Sequence, residues 1–432
     1  MKISVIGCGY LGAVHAAAMA KLGHDVVGVD TDPAKIARLA AGEAPFFEPG
    51  LPDLLREGVE SGRLRFTVDI SEAAEAEVHF VAVGTPQLPG ADGADLTYVH
   101  GAFDALAPVA ASGSLIVGKS TVPVGTAAEL AERLAAAGSE ALLAWNPEFL
   151  REGFAVADTL TPDRLVYGVS DERAAELLDA VYSAILTRGA PRIVTDFATA
   201  ELVKTAANAF LATKISFINA MAEIAEVTGA DVTTLADAIG HDARIGRRFL
   251  NAGIGFGGGC LPKDIRAFTA RAEEIGRAES VAFLRQVDAI NLRRRERVVE
   301  LALELLGGSV FERRIAVLGL TFKPNSDDVR DSPALDVAER LNGLGAAVVA
   351  TDPEGIENAR ARHPQLAYAP DASDALRGAE LAVLVTEWGE YRSLDPVATG
   401  GLMSTARIID GRNALEPAAW RAAGFEYRGL GR

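Results

Sequence analysis

Cys260 stands directly after three glycines in GFGGGCLPKD (255–264), with Lys263 and Asp264 within four residues. Glycines let backbone approach a ligand and expose its peptide N–H groups. A structural cysteine prefers packed apolar surroundings, so a thiol in such a loop is unusual. Beside a lysine it gains thiolate character and can act as a nucleophile, with Asp264 as an acid or base in reach. The competing reading is a glycine loop with an inert cysteine.

Other residue types invite chemistry elsewhere. Lys204 and Asn208 are four apart in one helical pattern, so they share a face among Ala206, Ala207 and Phe210. A cation beside an amide can hold a developing oxyanion, or the lysine is simply solvated. Thr121 in GKSTVPVG, and Glu148 and Glu152 in NPEFLREG, follow apolar runs that read as strands. Strand C-termini face the ligand crevice in open α/β sheets. Two acids four apart suggest a shared helical face, with one as a base for water, or two solvated carboxylates.

The elements that must position these residues begin at the N-terminus. KISVIG reads as a buried strand, GCGYLG as a turn, AVHAAAMAKLG as a helix closed by Gly23, and DVVGVD as a second strand. Gly7, Gly9 and Gly12 form G-x-G-x-x-G in the strand–turn–helix setting that a dinucleotide fingerprint requires. The pyrophosphate would sit on the helix N-terminus, in the turn that also holds Leu11. Asp30, ending the next strand, would accept from ribose hydroxyls and repel a 2′-phosphate, which favours NAD over NADP. Cys8 is then a packing residue, and Lys35 either reaches the ribose or is solvated. The same glycines interrupt a run that otherwise resembles a signal peptide.

Later apolar runs, VHFVAVGTP, GSLIVGKSTVP and ALLAWNPEF, continue the alternation and imply a parallel sheet. After PRIVTD, residues 198–229 form one long amphipathic pattern without proline. It is too long for a typical globular helix and suits a domain connector or a subunit contact. The stretch from Pro262 to INLRRRERVVELALELLGG looks like a similar connector, with RRRER as a charged helix face. RRIAVLGLTFKP…AAVVATDP then echoes the N-terminal unit, both ending in Asp-Pro (Asp32-Pro33, Asp352-Pro353). This is an internal repeat whose longer loop, TFKPNSDDVRD, replaces the glycine fingerprint, so it should take a phosphate-bearing ligand differently. The fold class is therefore α/β: two Rossmann-like doubly wound domains joined by a long-helix central domain. The expected boundaries are 1–196, 197–297 and 298–432.

Bulk properties narrow the partners. With 42 Lys+Arg against 59 Asp+Glu the net charge is −17, which disfavours nucleic acid and anionic membrane. No apolar run is long enough for membrane insertion. Two cysteines make no disulfide framework, and with six scattered histidines no metal site is expected. Low cysteine content fits a cytoplasmic protein. A dinucleotide fold with a nucleophilic cysteine suggests a reaction sequence. An alcohol is oxidised to an aldehyde, the thiolate adds, a second oxidation gives a thioester, and water releases a carboxylic acid.

The set GCGYLG, VGTP (83–86), STVPVG, NPEFLREG, KTAANAF, RIGRRFLNAGIGFGGGCLPKD and GLTFKPNSDDVRDSP covers almost the whole chain in order. It resembles the UDP-glucose/GDP-mannose dehydrogenase family, and most closely its UDP-glucose branch. The resemblance implies an NAD-binding domain, a helical middle that forms a homodimer or higher homo-oligomer, and a nucleotide-sugar domain. It implies four-electron oxidation of UDP-glucose to UDP-glucuronate. Cys260 would be the nucleophile, Lys204 and Asn208 would hold the C6 oxygen, and Asp264 would manage protons through water. Glu148 would support thioester hydrolysis, with Thr121 beside it. Asp30, Lys35, Thr85, Thr121, Glu152, Lys263 and Arg330 would touch NAD. The substrate would meet Glu148, Phe149, Leu150, Arg151 and Glu152. It would also meet the cradle Phe249, Leu250, Asn251, Ala252, Gly253 and Gly257, together with Phe322, Lys323 and Arg412. Arg244 would reach a neighbouring subunit's substrate. Two departures stand out: GGGC where many relatives have GGSC, and Gln87 where many have a Thr after VGTP.

Three rival readings remain on sequence. One is GDP-mannose or UDP-N-acetylmannosamine as substrate. Another is a two-electron β-hydroxyacid dehydrogenase, which needs neither Cys260 nor a second nucleotide domain. The third is a non-catalytic NAD-sensing or scaffold protein, against which the intact Cys260, Lys204, Asn208 and Asp264 set argues.

Overall fold

The computed structural model describes residues 1–432. The chain forms two compact units, Met1–Ala207 with Ala270–Gly276, and Asn208–Thr269 with Arg277–Arg432.

The first unit is built on eight strands: β1 (Lys2–Ile6), β2 (Asp25–Val29), β3 (Leu64–Thr67), β4 (Val78–Val81), β5 (Leu115–Gly118), β6 (Leu142–Trp145), β7 (Leu165–Val169) and β8 (Arg192–Thr195). Their order is β3-β2-β1-β4-β5-β6-β7-β8, the doubly wound pattern. Alternate residues feed two cores. Val5, Phe80 and Val117 pack in one, and Ile6, Val81 and Ile116 in the other, so central strands are apolar throughout. Each fully buried Leu, Ile or Val contributes about 1.5–3 kcal/mol. The sheet departs from the expected all-parallel form at β7, which runs antiparallel to β6. The segment between them carries the NPEFLREG loop and a short helix, Ala155–Leu160, instead of a return crossover.

The second unit carries β9 (Arg314–Leu318), β10 (Ala347–Thr351), β11 (Ala367–Tyr368), β12 (Leu381–Leu384), β13 (Arg407–Asp410) and β14 (Glu426–Gly429). Their order, β11-β10-β9-β12-β13-β14, repeats that of the first six strands of the other sheet, and all pairs are parallel. The internal repeat is real, but its register differs from the Asp-Pro echo. Gly7 N donates to Val29 O at 2.8 Å and Gly319 N to Thr351 O at 2.9 Å. Asp352 therefore corresponds to Asp30, not to Asp32.

Helix Phe197–Thr228 is the long element of the middle. Asp196 caps its start by accepting from Thr199 N at 2.8 Å, and Gly229, at φ 76°, ends it. The second expected connector is two helices, Leu261–Glu274 and Phe283–Leu305, because Gly276 at φ 71° stops the first. The RRRER run is not simply a charged face. Arg294 and Arg295 are buried. Arg294 pairs with Glu226 at 2.7 Å, and Arg295 with Asp331 at 3.0 Å. Burial is tolerated because carboxylates meet both guanidinium groups. No helix is long and apolar enough to cross a membrane.

Candidate active site

In the first unit the glycine turn has the shape that the fingerprint demands. Gly7 sits at φ 88°, and a Cβ on Gly12 would lie 1.8 Å from Gly7 O. Gly9 caps helix Tyr10–Lys21 without any side-chain hydrogen bond, and a Cβ there would meet nothing within 4 Å. The start of this helix is thus open at Gly9, as a pyrophosphate requires. Leu11 packs on the core below. Asp30 accepts from Cys8 N at 2.8 Å, Asp32 N at 3.0 Å and Lys35 Nζ at 2.9 Å. Lys35 is therefore not simply solvated: it pairs with Asp30. Cys8 is fully buried, and burial followed by the Asp30 charge pushes its thiol well up. It is inert.

Two further loops rise from the same sheet edge. Thr85 Oγ1 donates to Thr121 O at 2.8 Å, tying the loops after β4 and β5 together. Residues 146–151 form a loop, not a helix, so Glu148 and Glu152 do not share a helical face. Pro147 disfavours helix at Asn146, and Gly153 turns the chain at φ 77°. Glu148 Oε1 accepts from Phe149 N at 2.8 Å and Leu150 N at 3.1 Å, while Oε2 lies 3.1 Å from Lys119 Nζ. Glu152 and Leu150 are half-buried. Arg151 is engaged by Asp158 through its Nε and Nη2 atoms. Phe149 lies between cations, its ring centroid 3.9 Å from the Arg164 guanidinium and 5.5 Å from Lys204 Nζ. Glu48, which sequence reasoning missed, is buried and accepts from Gly153 N and Ala155 N, both at 2.7 Å, and from the Tyr10 hydroxyl. It fixes the far end of the Glu148 loop.

The second unit holds the cysteine. The Cys260 carbonyl accepts from Asp264 N at 2.9 Å, which makes Cys260 the N-cap of helix Leu261–Glu274. Cys260 is exposed and in no disulfide. Asp264, one turn on, is buried. It accepts from Asn208 Nδ2 at 2.6 Å and pairs with Lys263 at 2.6 Å. The three glycines answer to close packing. A Cβ on Gly257 would lie 2.2 Å from Asp331 O, on Gly258 2.8 Å from the Phe322 ring, and on Gly259 2.5 Å from the Arg330 guanidinium. Only glycine lets the loop lie this close to residues 322–331.

The remaining sequence candidates frame that loop. Phe249 adopts φ 67°, a strained value for a bulky residue. Leu250 is buried, and Asn251 accepts from Arg247 at 2.8 Å. Ala252 O accepts from Asn413 at 3.2 Å, and Gly253 N donates to Asn219 at 2.9 Å. Lys323 Nζ lies 5.1 Å from the Phe322 ring centroid. Arg330 chelates Asp328. Arg244 is 89% exposed and pairs with Asp242 at 2.6 Å. Arg412 is turned inward: its guanidinium donates to Val385 O at 2.8 Å, Gly255 O at 2.9 Å and Phe322 O at 3.0 Å. It ties the cysteine loop to the second sheet. Asn291 clamps Phe256 through both backbone groups, at 2.7 and 2.9 Å, and had no sequence signal beyond an amide in a helix of charges.

A model of the UDP-glucose/GDP-mannose dehydrogenase NAD binding domain matches residues 1–186, that of the central domain matches 198–293, and that of the UDP binding domain matches 316–417. The chain belongs to the UDP-glucose/GDP-mannose dehydrogenase family. Among its relatives in this family, a UDP-glucose 6-dehydrogenase of Rhizobium meliloti is 44% identical, with all of both chains covered. One of Pseudomonas aeruginosa is 42% identical over all of this chain and 98% of that one. A solved UDP-glucose dehydrogenase from the archaeon Pyrobaculum islandicum shares 41% identity at TM-score 0.92, covering 100% of this chain and 97% of its own. A UDP-D-ManNAc dehydrogenase from Pyrococcus horikoshii shares 29% at TM-score 0.87, covering 100% and 99%. The family's NAD binding domain falls on the open glycine turn and Asp30, so the cofactor is NAD. Its UDP binding domain falls on the second sheet.

Proposed function

We propose that the chain oxidises UDP-glucose to UDP-glucuronate, with Cys260 as the covalent nucleophile. The observation that carries this reading is an exposed thiol at a helix N-terminus, one turn from the buried Asp264, which Asn208 and Lys263 hold. A helix N-terminus favours negative charge, here the thiolate. NAD, when bound, supplies the two-electron acceptor for each oxidation.

The residues divide the work. Lys204 and Asn208 hold the C6 oxygen as charge develops on it. Cys260 Sγ bonds to the aldehyde carbon and gives a thiohemiacetal, whose oxidation leaves a thioester. Glu148 takes a proton from water as its oxygen bonds to the acyl carbon; the C–S bond breaks and the thiolate returns. Asp264 relays protons through water, and Thr121 supports the base. Phe249 to Gly253, Gly257, Phe322 and Lys323 receive the nucleotide sugar. Arg412 acts by holding that loop. We assign the domains to 1–196, 197–297 and 298–432, and the protein to the cytoplasm, where a reactive thiol stays reduced.

The chain also acts as a homodimer. Phe210, Phe217 and Ile224 recur every seven residues on the long helix, 66%, 47% and 53% exposed. A seam at that spacing suits a second helix, and the exposed Arg244, paired here only with Asp242, would exchange that partner for a neighbour's substrate.

The deciding assay supplies UDP-glucose, GDP-mannose and UDP-N-acetylmannosamine in turn and counts NADH. Two NADH per UDP-glucose consumed are expected. A ratio near one removes the cysteine route, and turnover of GDP-mannose alone removes the substrate assignment. Cys260→Ser should bind both ligands and stall.

A further inference from the structure

Lys119 is the residue immediately after β5, and its side chain is 3% exposed. Its ammonium lies 3.0 Å from Asn146 Oδ1, 3.5 Å from Asn146 O, 3.5 Å from the Tyr182 hydroxyl and 3.1 Å from Glu148 Oε2. The Phe80 ring centroid is 5.7 Å away. Asn146 is itself fixed, donating to Val166 O at 2.9 Å and accepting from the Tyr182 hydroxyl at 2.7 Å. A buried ammonium needs a counter-charge, and Glu148 is the carboxylate paired with it. The other titratable groups facing this ammonium stay neutral. Burial, then the Lys119 charge, hold His15 well below its ordinary value, and burial holds Tyr182 well above.

We propose that Lys119 is a positioning residue for Glu148, holding its carboxylate in one orientation for the step that consumes water. Glu148 Oε1 is fixed by two peptide N–H groups of its own loop, and Oε2 by an ammonium anchored to the sheet. Neither oxygen is left to rotamer chance, which is the condition for an effective base. This rests on the reading of Glu148 as the base of thioester hydrolysis.

The test compares wild type, Lys119→Met, Glu148→Gln and the double variant under single-turnover conditions. NADH formation is followed optically and the acyl group on Cys260 by intact mass. Methionine nearly matches the lysine stem, and Asn146 and Tyr182 keep their mutual hydrogen bond. NAD affinity within about twofold of wild type certifies the folded site; Lys119→Gln replaces the methionine variant if that condition fails. Lys119→Met is expected to slow release of UDP-glucuronate roughly 10²-fold, the lower end of what a positioned base contributes, while acyl-Cys260 accumulates and the first NADH appears at the wild-type rate. In the Glu148→Gln background the same change should cost no more than about twofold. Multiplying effects, an equal slowing of the first NADH, or no acyl accumulation each overturn the proposal. Hydrolysis unchanged by Glu148→Gln overturns the underlying reading of Glu148 itself.

Discussion

The two sheets share a strand order and differ at the edge where that order reverses. In the first, the aspartate after β2 keeps part of its carboxylate available: Asp30 meets one lysine and two peptide N–H groups beside a bare helix N-terminus. In the second, the aspartate after β10 is closed in. Asp352 accepts from Leu320 N, Thr321 N and Oγ1, Glu354 N, Gly355 N and Trp388 Nε1, and is 1% exposed. The following helix starts later, at Pro333, and Ser332 caps it with its own side chain. The same strand-end geometry thus leaves a carboxylate beside an open helix start in one copy and makes a structural knot in the other. A strand-end carboxylate becomes a ligand site only where local donors leave it unsaturated.

The contrast can be attacked from several sides. The cysteines offer the largest difference, one in each unit. Iodoacetamide near neutral pH should modify Cys260 at least about 10³-fold faster than Cys8, because reaction needs an accessible thiolate; mass spectrometry finding comparable labelling at Cys8 would remove its inert role. Asp352→Ala leaves buried donors unpaired and should destabilise the second unit by about 3–5 kcal/mol. A urea-unfolding midpoint indistinguishable from wild type would show that the knot carries no weight. Asp30→Ala, which strands one buried peptide N–H at Cys8, should cost less stability, about 1–2 kcal/mol, and weaken NAD roughly 10- to 100-fold, as expected for lost hydrogen bonds to a charged group, while narrowing the preference over NADP. Calorimetric titration with both dinucleotides measures this, and unchanged NAD affinity counts against the ribose role.

The smallest effect is acid sensitivity. Burial lowers His79 to about 4 in the folded first sheet. The unfolded chain takes up this proton near pH 6.5 and the folded one does not until about pH 4, so stability falls as pH drops through that window. From pH 6.5 to 5.5 the loss is about 1 kcal/mol. In the second sheet burial raises Asp410 above its ordinary value, so its folded form binds the proton more tightly and gains on acidification. Amide exchange in β1 to β5 should therefore quicken at pH 5.5 relative to β9 to β13. Equal acceleration in both sheets would end the distinction.

Much of this was legible from residue order. Periodicity placed β1, β2, the long helix and the repeat, because strand alternation and helical amphipathicity are local signals. The fingerprint glycines declared themselves because only glycine suits both a positive φ and close backbone approach. Sequence spacing misled where tertiary contacts set the conformation. Glu148 and Glu152 looked helical, yet Pro147 and the buried Glu48 keep that loop out of a helix. RRRER looked solvated, yet acids distant in sequence draw two of its arginines inward. The Asp-Pro echo suggested the wrong partner for Asp352, since register is read from strand hydrogen bonds, not from dipeptides.

The sequence by itself determined which residues could do chemistry and which segments would be strand or helix, since both follow from side-chain type and short-range period. Only the tertiary structure decided which of those residues are engaged elsewhere: Arg412 on three carbonyls, Lys35 on Asp30, Glu148 on Lys119. Hydrogen-bond saturation depends on neighbours far apart in the chain, and it separates a ligand-binding group from a structural one.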